Sequence, residues 1–558
     1  MTIIMVHVFT RTLIWCMIPL GRQAKERFIT ERLEKKDHFF EPVKKMRLKT
    51  LESMNKSVKI KTTQNKVIAY KQHSSVTLQL LVRADATGAI DMRKVMKYPI
   101  TPVPYSIGTA DGFLAKTDKS QGSHYLLKGI QDMPLPRDHT LVVQDGNAMF
   151  HTLQAIPGNF KQIAHRIYNA LPKNCDVIFS TDMYQPQSVK ALERERRGCG
   201  DKLILQGPLT RKPINWRLFL MNDHNKTQLA QILSDVWSDN DFASQLIQRK
   251  LVVVVEGHAY MLSTDDGTTI KKSEITSLRS TQEETDTRII LYCLYGQEIG
   301  YEVIRIRSPD SDVLFIALHH ASDLEVTLLF DTGSGNKKRL VNVTELARGY
   351  GRQFCSAVMA LHAFTHCDTT SAFKGVGKVR PIKLLQKMPA YQPVLASLGD
   401  EWTVTDGAFI KLEEFTCALY GKLRHKSVDD LRYDILQQKC GGPDGSIDVT
   451  RNIDLGQLPL CASVLHQHIR RVNYQVAIWK RANIPQPDIP NPTNGHGWRV
   501  GDGGNLEPLW FEGDILPVNH AAMETDTDSD SSSDADSDDN DTEQIDDFSQ
   551  EDDDSDDD

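Results

Sequence analysis

Five consecutive apolar residues, Leu251-Val252-Val253-Val254-Val255, constrain this chain more than any other stretch. Four are branched at Cβ, which suits a pleated strand. No polar residue alternates among them, so the strand must be covered on both faces. Shorter apolar runs of the same kind are Leu141-Val142-Val143, Asp176-Val177-Ile178-Phe179 and Val303-Ile304-Arg305-Ile306. Between them lie helical spacings: Phe150, Leu153, Phe160, Ile163 and Ile167 in one segment, Val189 and Leu192 in the next. Val326–Phe330 and Lys338–Val341 flank Gly333-Ser334-Gly335-Asn336, a hairpin signal. Strands alternating with helices predict an α/β fold with a largely parallel sheet flanked by helices. In such sheets ligands gather beyond the carboxyl ends of the strands. Asp145, Asp182 and Asp310 each stand a few residues after a strand.

The 558 residues exceed one ordinary core. The pattern divides them into an N-terminal extension of uncertain fold (1–137), the strand–helix core (138–342), a helical region (343–430), a C-terminal appendage (431–523) and a tail (524–558). A strand is expected at Val76–Val82, and residues 101–138, rich in Pro, Gly and Asp, read as largely irregular. The tail holds 19 of the 73 acids and no Lys or Arg, so it cannot bury enough apolar surface to fold and is expected to be disordered. That leaves 54 acids against 66 bases in residues 1–523, a net charge of +12 hidden beneath an overall −7. A basic body with an acidic tail suits a polyanion binder carrying its own competitor, or a tail that engages basic proteins. Nine scattered cysteines without a CxxC pair argue against a disulfide framework and a four-cysteine zinc module, and fit the nucleus or cytosol, with the nucleus favoured. The apolar first 20 residues lack a basic leading region and the length of a bilayer span, so no membrane partner is expected.

Carboxylates from distant stretches are what a magnesium site needs, because carboxylate oxygens are hard ligands. Asp310 and Asp312, two apart, reach one ion if the backbone stays extended there, although Ser-Pro-Asp-Ser is also good turn chemistry. Glu284 and Asp286 open a helical pattern, where acids serve equally as caps. Asp145 before Gly146-Asn147 has the same two readings. Asp368 follows His362, His366 and Cys367, which raise a zinc alternative. Gly375-Val376-Gly377-Lys378 is a helix–hairpin–helix pattern, whose glycines let a backbone approach and whose amides hold a phosphate. Lys190, Arg194, Arg196 and Arg197 follow Asp182 on one helix and can neutralise a scissile phosphate.

Joined in order, these motifs resemble the XPG-like flap endonuclease family of the PIN-like fold, over about residues 138–390. Asp145-Gly146-Asn147 is similar to that family's first aspartate after strand one, Asp182 to its second, and Lys190 with Arg196 or Arg197 to its basic pair. Glu284 and Asp286 resemble its Glu-x-Glu pair with the second acid shortened, and Asp310 and Asp312 its Asp-x-Asp pair. Cys367-Asp368 through Gly375-Val376-Gly377-Lys378-Val379-Arg380 is similar to its Gly-Cys-Asp-Tyr and Gly-Ile-Gly segment, with His366 in the place of a glycine. The chain also resembles an animal protein group sharing Glu-Ala-Asp-Thr-Arg, Ser-Pro-Asp-Thr-Asp-Val and Phe-Thr-Gly-Cys-Asp-Thr-Thr, from which no function follows.

The nuclease resemblance implies a structure-specific nuclease that hydrolyses phosphodiesters in DNA, or in RNA, by a two-metal mechanism with Mg²⁺ or Mn²⁺. Asp145, Asp182, Glu284 and Asp286 would hold the first ion, and Asp310, Asp312 and Asp368 the second. Lys190, Arg196 and Arg197 would stabilise developing charge. Gly375, Gly377, Lys378 and Arg380 would grip duplex DNA bearing a junction or flap, with K⁺ at the hairpin. The alternatives are a degenerate nucleic-acid-binding module and an acidic-tailed interaction scaffold.

Overall fold

The computed structural model describes residues 29–35, 58–61, 67–70 and 91–517, the last without 137–138, 186–187, 199, 334, 441–453 and 502–503. Residues 31–517 form one compact unit. The strand expected at Val76–Val82 and the acidic tail lie outside the described residues.

Eight strands make one mixed sheet: β1 (Thr140–Asp145), β2 (Asp176–Ser180), β3 (Leu251–Val255), β4 (His258–Ser263), β5 (Lys271–Glu274), β6 (Val303–Arg307), β7 (Thr327–Thr332) and β8 (Arg339–Asn342). Their order is β8-β7-β6-β1-β2-β3-β4-β5. The five central strands are parallel, and the edges are antiparallel: β8 on β7, β4 on β3 and β5 on β4. The expected parallel sheet and hairpin are therefore present. β1 lies at the middle, β2 and β3 build outward on one side, β6 and β7 on the other. The chain reverses its direction of growth between β1 and β6, the kind of crevice where α/β sheets take ligands.

The covering helices explain the uninterrupted apolar strands. Val142, Val177, Phe179, Val253 and Val255 pack under α3 (Phe160–Ala170) and α5 (Asp223–Trp237) through Ile163, Ile167, Leu233 and Trp237. Their neighbours Leu141, Val143, Ile178 and Val254 face the larger core. That core is built by α6 (Thr285–Glu298), α7 (Ser311–His320), α9 (Arg352–Phe364) and α13 (Ala462–Lys480), with α8 (Val343–Tyr350) beside β7. Each such aliphatic side chain, fully buried, contributes about 1.5–3 kcal/mol.

The boundaries expected at 137, 342 and 430 do not divide this core. Ile107, Leu114 and Leu126 from the supposed extension join Phe364, Phe415 and Val472 in one cluster. The described residues of 101–138 are largely irregular, as expected, and contain α1 (Ser120–Leu126). The 431–523 region is more than an appendage: α13, 19 residues long, is buried along most of its length. Among the described residues the stretch beyond it, with a short hairpin pairing Trp498–Val500 to Leu506–Pro508, fits the irregular reading. Among the described residues no helix is long and apolar enough to cross a membrane.

Candidate metal centre

β1, β2 and β6 end at the same edge of the sheet, and each delivers an acid there. Asp145 is both the last residue of β1 and the N-cap of α2 (Gly146–Thr152), its Oδ1 accepting from Ala148 N–H at 2.9 Å. The turn is tight enough to require glycine next. A Cβ on Gly146 would lie 2.7 Å from the Phe179 ring and from the Ser180 carbonyl oxygen. Ser308 Oγ donates to Asp145 Oδ2 at 3.0 Å, tying β6 to β1. Asp182, two residues past β2, reaches across to α6 and accepts from Thr285 N–H at 2.8 Å. Glu284 is the N-cap residue of α6 but makes no side-chain cap bond, and Asp286 lies in its first turn. Asp310 caps α7 by accepting from Asp312 N–H at 2.9 Å. The cap reading of Asp145 thus holds for one oxygen; Asp310, whose alternative reading is a turn, also caps with one oxygen; Asp182 bonds the start of a helix in another segment; Glu284 and Asp286 make no side-chain cap bond.

These acids line one cleft of about 360 Å³ together with Asp368, Lys119, Lys190 and Arg197. Asp312 lies just behind its wall and is buried. One oxygen each of Asp286, Asp310 and Asp312 falls within 4.8 Å of the others, close enough to share an ion. Asp286 has no hydrogen-bond or ion-pair partner among the described residues.

The charges sort the acids into two groups. Burial pushes Asp145 up to about 7, helped by Asp182 and Asp310 and opposed by the Ala148 amide. Burial likewise lifts Glu284 to about 7 against the pull of Lys190. Asp286 is held well above the usual carboxylate range by burial and by Asp310, Glu284 and Asp145. Asp310 is raised by burial and by Asp312 despite Lys119. Asp312 and Asp368 go the other way. Burial would raise both, but Lys119 and His362 hold Asp312 down, and Lys190 and Lys119 hold Asp368 down. Lys190 Nζ lies 2.7 Å from Asp368 and also pairs with Glu284. Both lysines are raised: burial disfavours their charge, and the surrounding carboxylates outweigh it.

Helix α4 (Val189–Arg196) resolves which basic residues face the cleft. Lys190, Arg194 and Arg197 recur at helical spacing, so they share a side. Arg197 reaches Asp368 at 3.4 Å. Arg196 makes two bonds to Glu193, at 3.0 and 3.2 Å, and is not among the residues that line the cleft, unlike Arg197.

The glycine loop departs further from expectation. Residues 365–378 separate α9 from α10 (Val379–Lys387), longer than a tight helix–helix turn. Gly375 is exposed with φ +77°, and Gly377 and Arg380 are at least partly accessible. Lys378 is not available to DNA. It is 2% exposed, and its Nζ donates to the His362 carbonyl at 2.7 Å, to Thr365 Oγ1 at 3.2 Å and to the His366 carbonyl. Burial lowers its pKa to about 7. It ties together the end of α9 just before Asp368. The zinc alternative has no geometry behind it. His362 Nε2 bonds Asp312 at 2.9 Å, His366 Nδ1 faces the Thr370 carbonyl at 3.0 Å, and Cys367 Sγ faces Thr369 and Thr370.

Two contributors were missed by sequence reasoning. Lys119 comes from the supposed extension, and only its place as a lone basic residue between Asp118 and Ser120 marks it in the sequence. His362 was weighed for zinc, whereas it orients Asp312. The chain matches no protein-family model and no curated protein, so the functional reading rests on this geometry.

Proposed function

We propose that the chain is a metal-dependent nuclease of the XPG-like flap endonuclease kind, with a PIN-like core that hydrolyses phosphodiester bonds in DNA carrying a junction or flap. The observation that carries the reading is the meeting, in one cleft, of Asp145, Asp182, Glu284, Asp286, Asp310 and Asp368 from five separate segments, with Asp286 unpaired. Capping accounts for single oxygens of three of these acids and for nothing at Asp286. Hard oxygen donors in this number suit Mg²⁺ or Mn²⁺. A bound divalent ion would supply a Lewis acid and a water made acidic enough to attack phosphorus near neutral pH.

The protein's own groups do the rest. Lys190 and Arg197, on the cleft wall beside Asp368, face the place where charge builds on the phosphoryl oxygens, and stabilise it there. Ser308 and His362 fix the carboxylates of Asp145 and Asp312. The loop around Gly375 and Gly377, with exposed Arg380, is the remaining candidate for gripping duplex backbone in helix–hairpin–helix fashion. K⁺ would suit its carbonyls.

The test is cleavage of an end-labelled 5′-flap duplex, beside single-stranded, blunt and RNA controls, in Mg²⁺ and in EDTA. Magnesium-dependent cutting that disappears in Asp286→Asn/Asp310→Asn supports the reading. Binding of all substrates without cutting, equal in both variants, would replace it with a degenerate nucleic-acid-binding module.

A further inference from the structure

We propose that Lys119 fills the second cation position of this centre, so that the site takes one divalent ion rather than the two the nuclease resemblance implies. The inference rests on the nuclease reading above and refines its chemistry. Lys119 Nζ lies 3.0 Å from Asp310, 3.2 Å from Asp312 Oδ2 and 3.1 Å from Asp368 Oδ1. Those are the three acids that would hold a second ion, and they come from two elements, the start of α7 and the loop after α9. Of the acids of the first ion, Glu284 pairs with Lys190, while Asp145, Asp182 and Asp286 have no lysine or arginine in ion-pair range among the described residues. One half of the cleft thus shares an ammonium among three acids, and the other half holds three acids without a cation.

Lys119 is held there by more than attraction. It is the residue immediately before α1, and α1 is wedged between α7 and α10. A Cβ on Gly122 would stand 3.2 Å from the Phe315 ring and 3.5 Å from Ile382. Leu126, at the other end of α1, is 1% exposed in the main core. The loop carrying Asp368 is fastened to the same N-terminal segment, with Ala372 N–H donating to the Ala115 carbonyl at 2.7 Å and Lys374 N–H to the Ser106 carbonyl at 2.8 Å. An ammonium fixed among three carboxylates carries one charge where a second Mg²⁺ would carry two. It can meet a phosphoryl oxygen as a donor without any ion to recruit. Removing the ammonium should leave three hard oxygen donors facing one point, which is a cation site.

The experiment is electron paramagnetic resonance of the full chain with saturating Mn²⁺, on the wild type, Lys119→Met, Lys119→Ala and Asp286→Asn/Asp310→Asn. Lys119→Met keeps the packed stem and loses the charge. Two Mn²⁺ about 4 Å apart couple magnetically, whereas an isolated ion, including any on the acidic tail, does not. The double carboxamide variant gives the background, so the ions held by the centre follow by difference. The expected result is one uncoupled ion in the wild type and a coupled pair in Lys119→Met. A coupled pair in the wild type would overturn the inference while leaving the nuclease reading intact. A single ion in both Lys119 variants would also overturn it. A wild type that matches the double carboxamide variant would overturn both readings. If neither Lys119 variant folds, the wild-type spectrum alone decides.

Discussion

His366 sits at φ +123°, a region that side chains with a Cβ rarely adopt. A glycine, which the nuclease resemblance would put at this position, adopts such a φ without the Cβ penalty. The imidazole is buried and faces the Thr370 carbonyl, which offsets the strain of about 1–3 kcal/mol. His366→Gly and His366→Ala both lose the ring, but only glycine relieves the backbone. The glycine variant should be more stable than the alanine variant by about 1 kcal/mol, reversing the usual order; urea denaturation with the alanine variant ahead would show that φ is not strained. Single residues also set the response to pH. Asp145, Glu284 and Asp286 titrate higher in the folded chain than unfolded, so the native state holds their protons longer and these groups lower stability as pH rises from about 4 to about 7. Buried histidines such as His362 and His468, held below their usual range, act in the opposite direction, so the acids are read by difference. In EDTA the Tm of the wild type relative to Asp286→Asn should fall between pH 5 and pH 8, and Mg²⁺ should remove most of that fall. A difference in EDTA that does not change with pH would mean that the acids are not crowded.

At the scale of elements, α4 leads to a cleft-lining arginine, Arg197, and ends on Arg196, which bonds Glu193. Arg197→Ala should slow single-turnover cleavage by about 10²-fold, because a donor aimed at developing charge is lost. Arg196→Ala should change it little, since Glu193 keeps Lys116 and Arg197. Equal losses in both would place the helix differently. The loop between α9 and α10 gives a second contrast. Lys378→Met should cost about 1–3 kcal/mol of stability by leaving buried carbonyls unpaired, and should leave the salt dependence of DNA binding unchanged. Arg380→Ala should do the reverse, weakening binding and lowering the salt slope by about 1. The sequence placed both residues on one DNA-gripping motif; burial, which a local pattern does not report, assigns them different work.

Across the whole molecule, one core joins residues 92–127 to the sheet, to the helices and on to Trp510. Truncation at residue 137 should therefore abolish folding rather than trim an extension. A soluble, cooperatively unfolding 138–517 fragment would contradict the shared core. The charge is also a whole-chain property. Deleting residues 524–558 uncovers a body of net +12 and should tighten DNA binding at low salt; unchanged affinity would rule out competition by the tail.

The sequence alone determined six of the eight strands, the parallel centre of the sheet and the acids at its edge, because strand periodicity and the capping of strand–helix turns are local and leave their mark in neighbouring residues; β4 and the exposed edge strand β5, which carries no apolar run, went unread. Asp145, Asp182 and Asp310 could be placed for that reason. Which charges meet was decided only by the tertiary structure. Lys119 lies 191 residues before Asp310 and 249 before Asp368 in the chain, and no spacing rule spans such distances. Whether Arg196 or Arg197 faces the cleft, whether Lys378 is buried, and which acids remain without a cation all depend on how helices pack, since desolvation and Coulomb energy follow distance in space rather than along the chain.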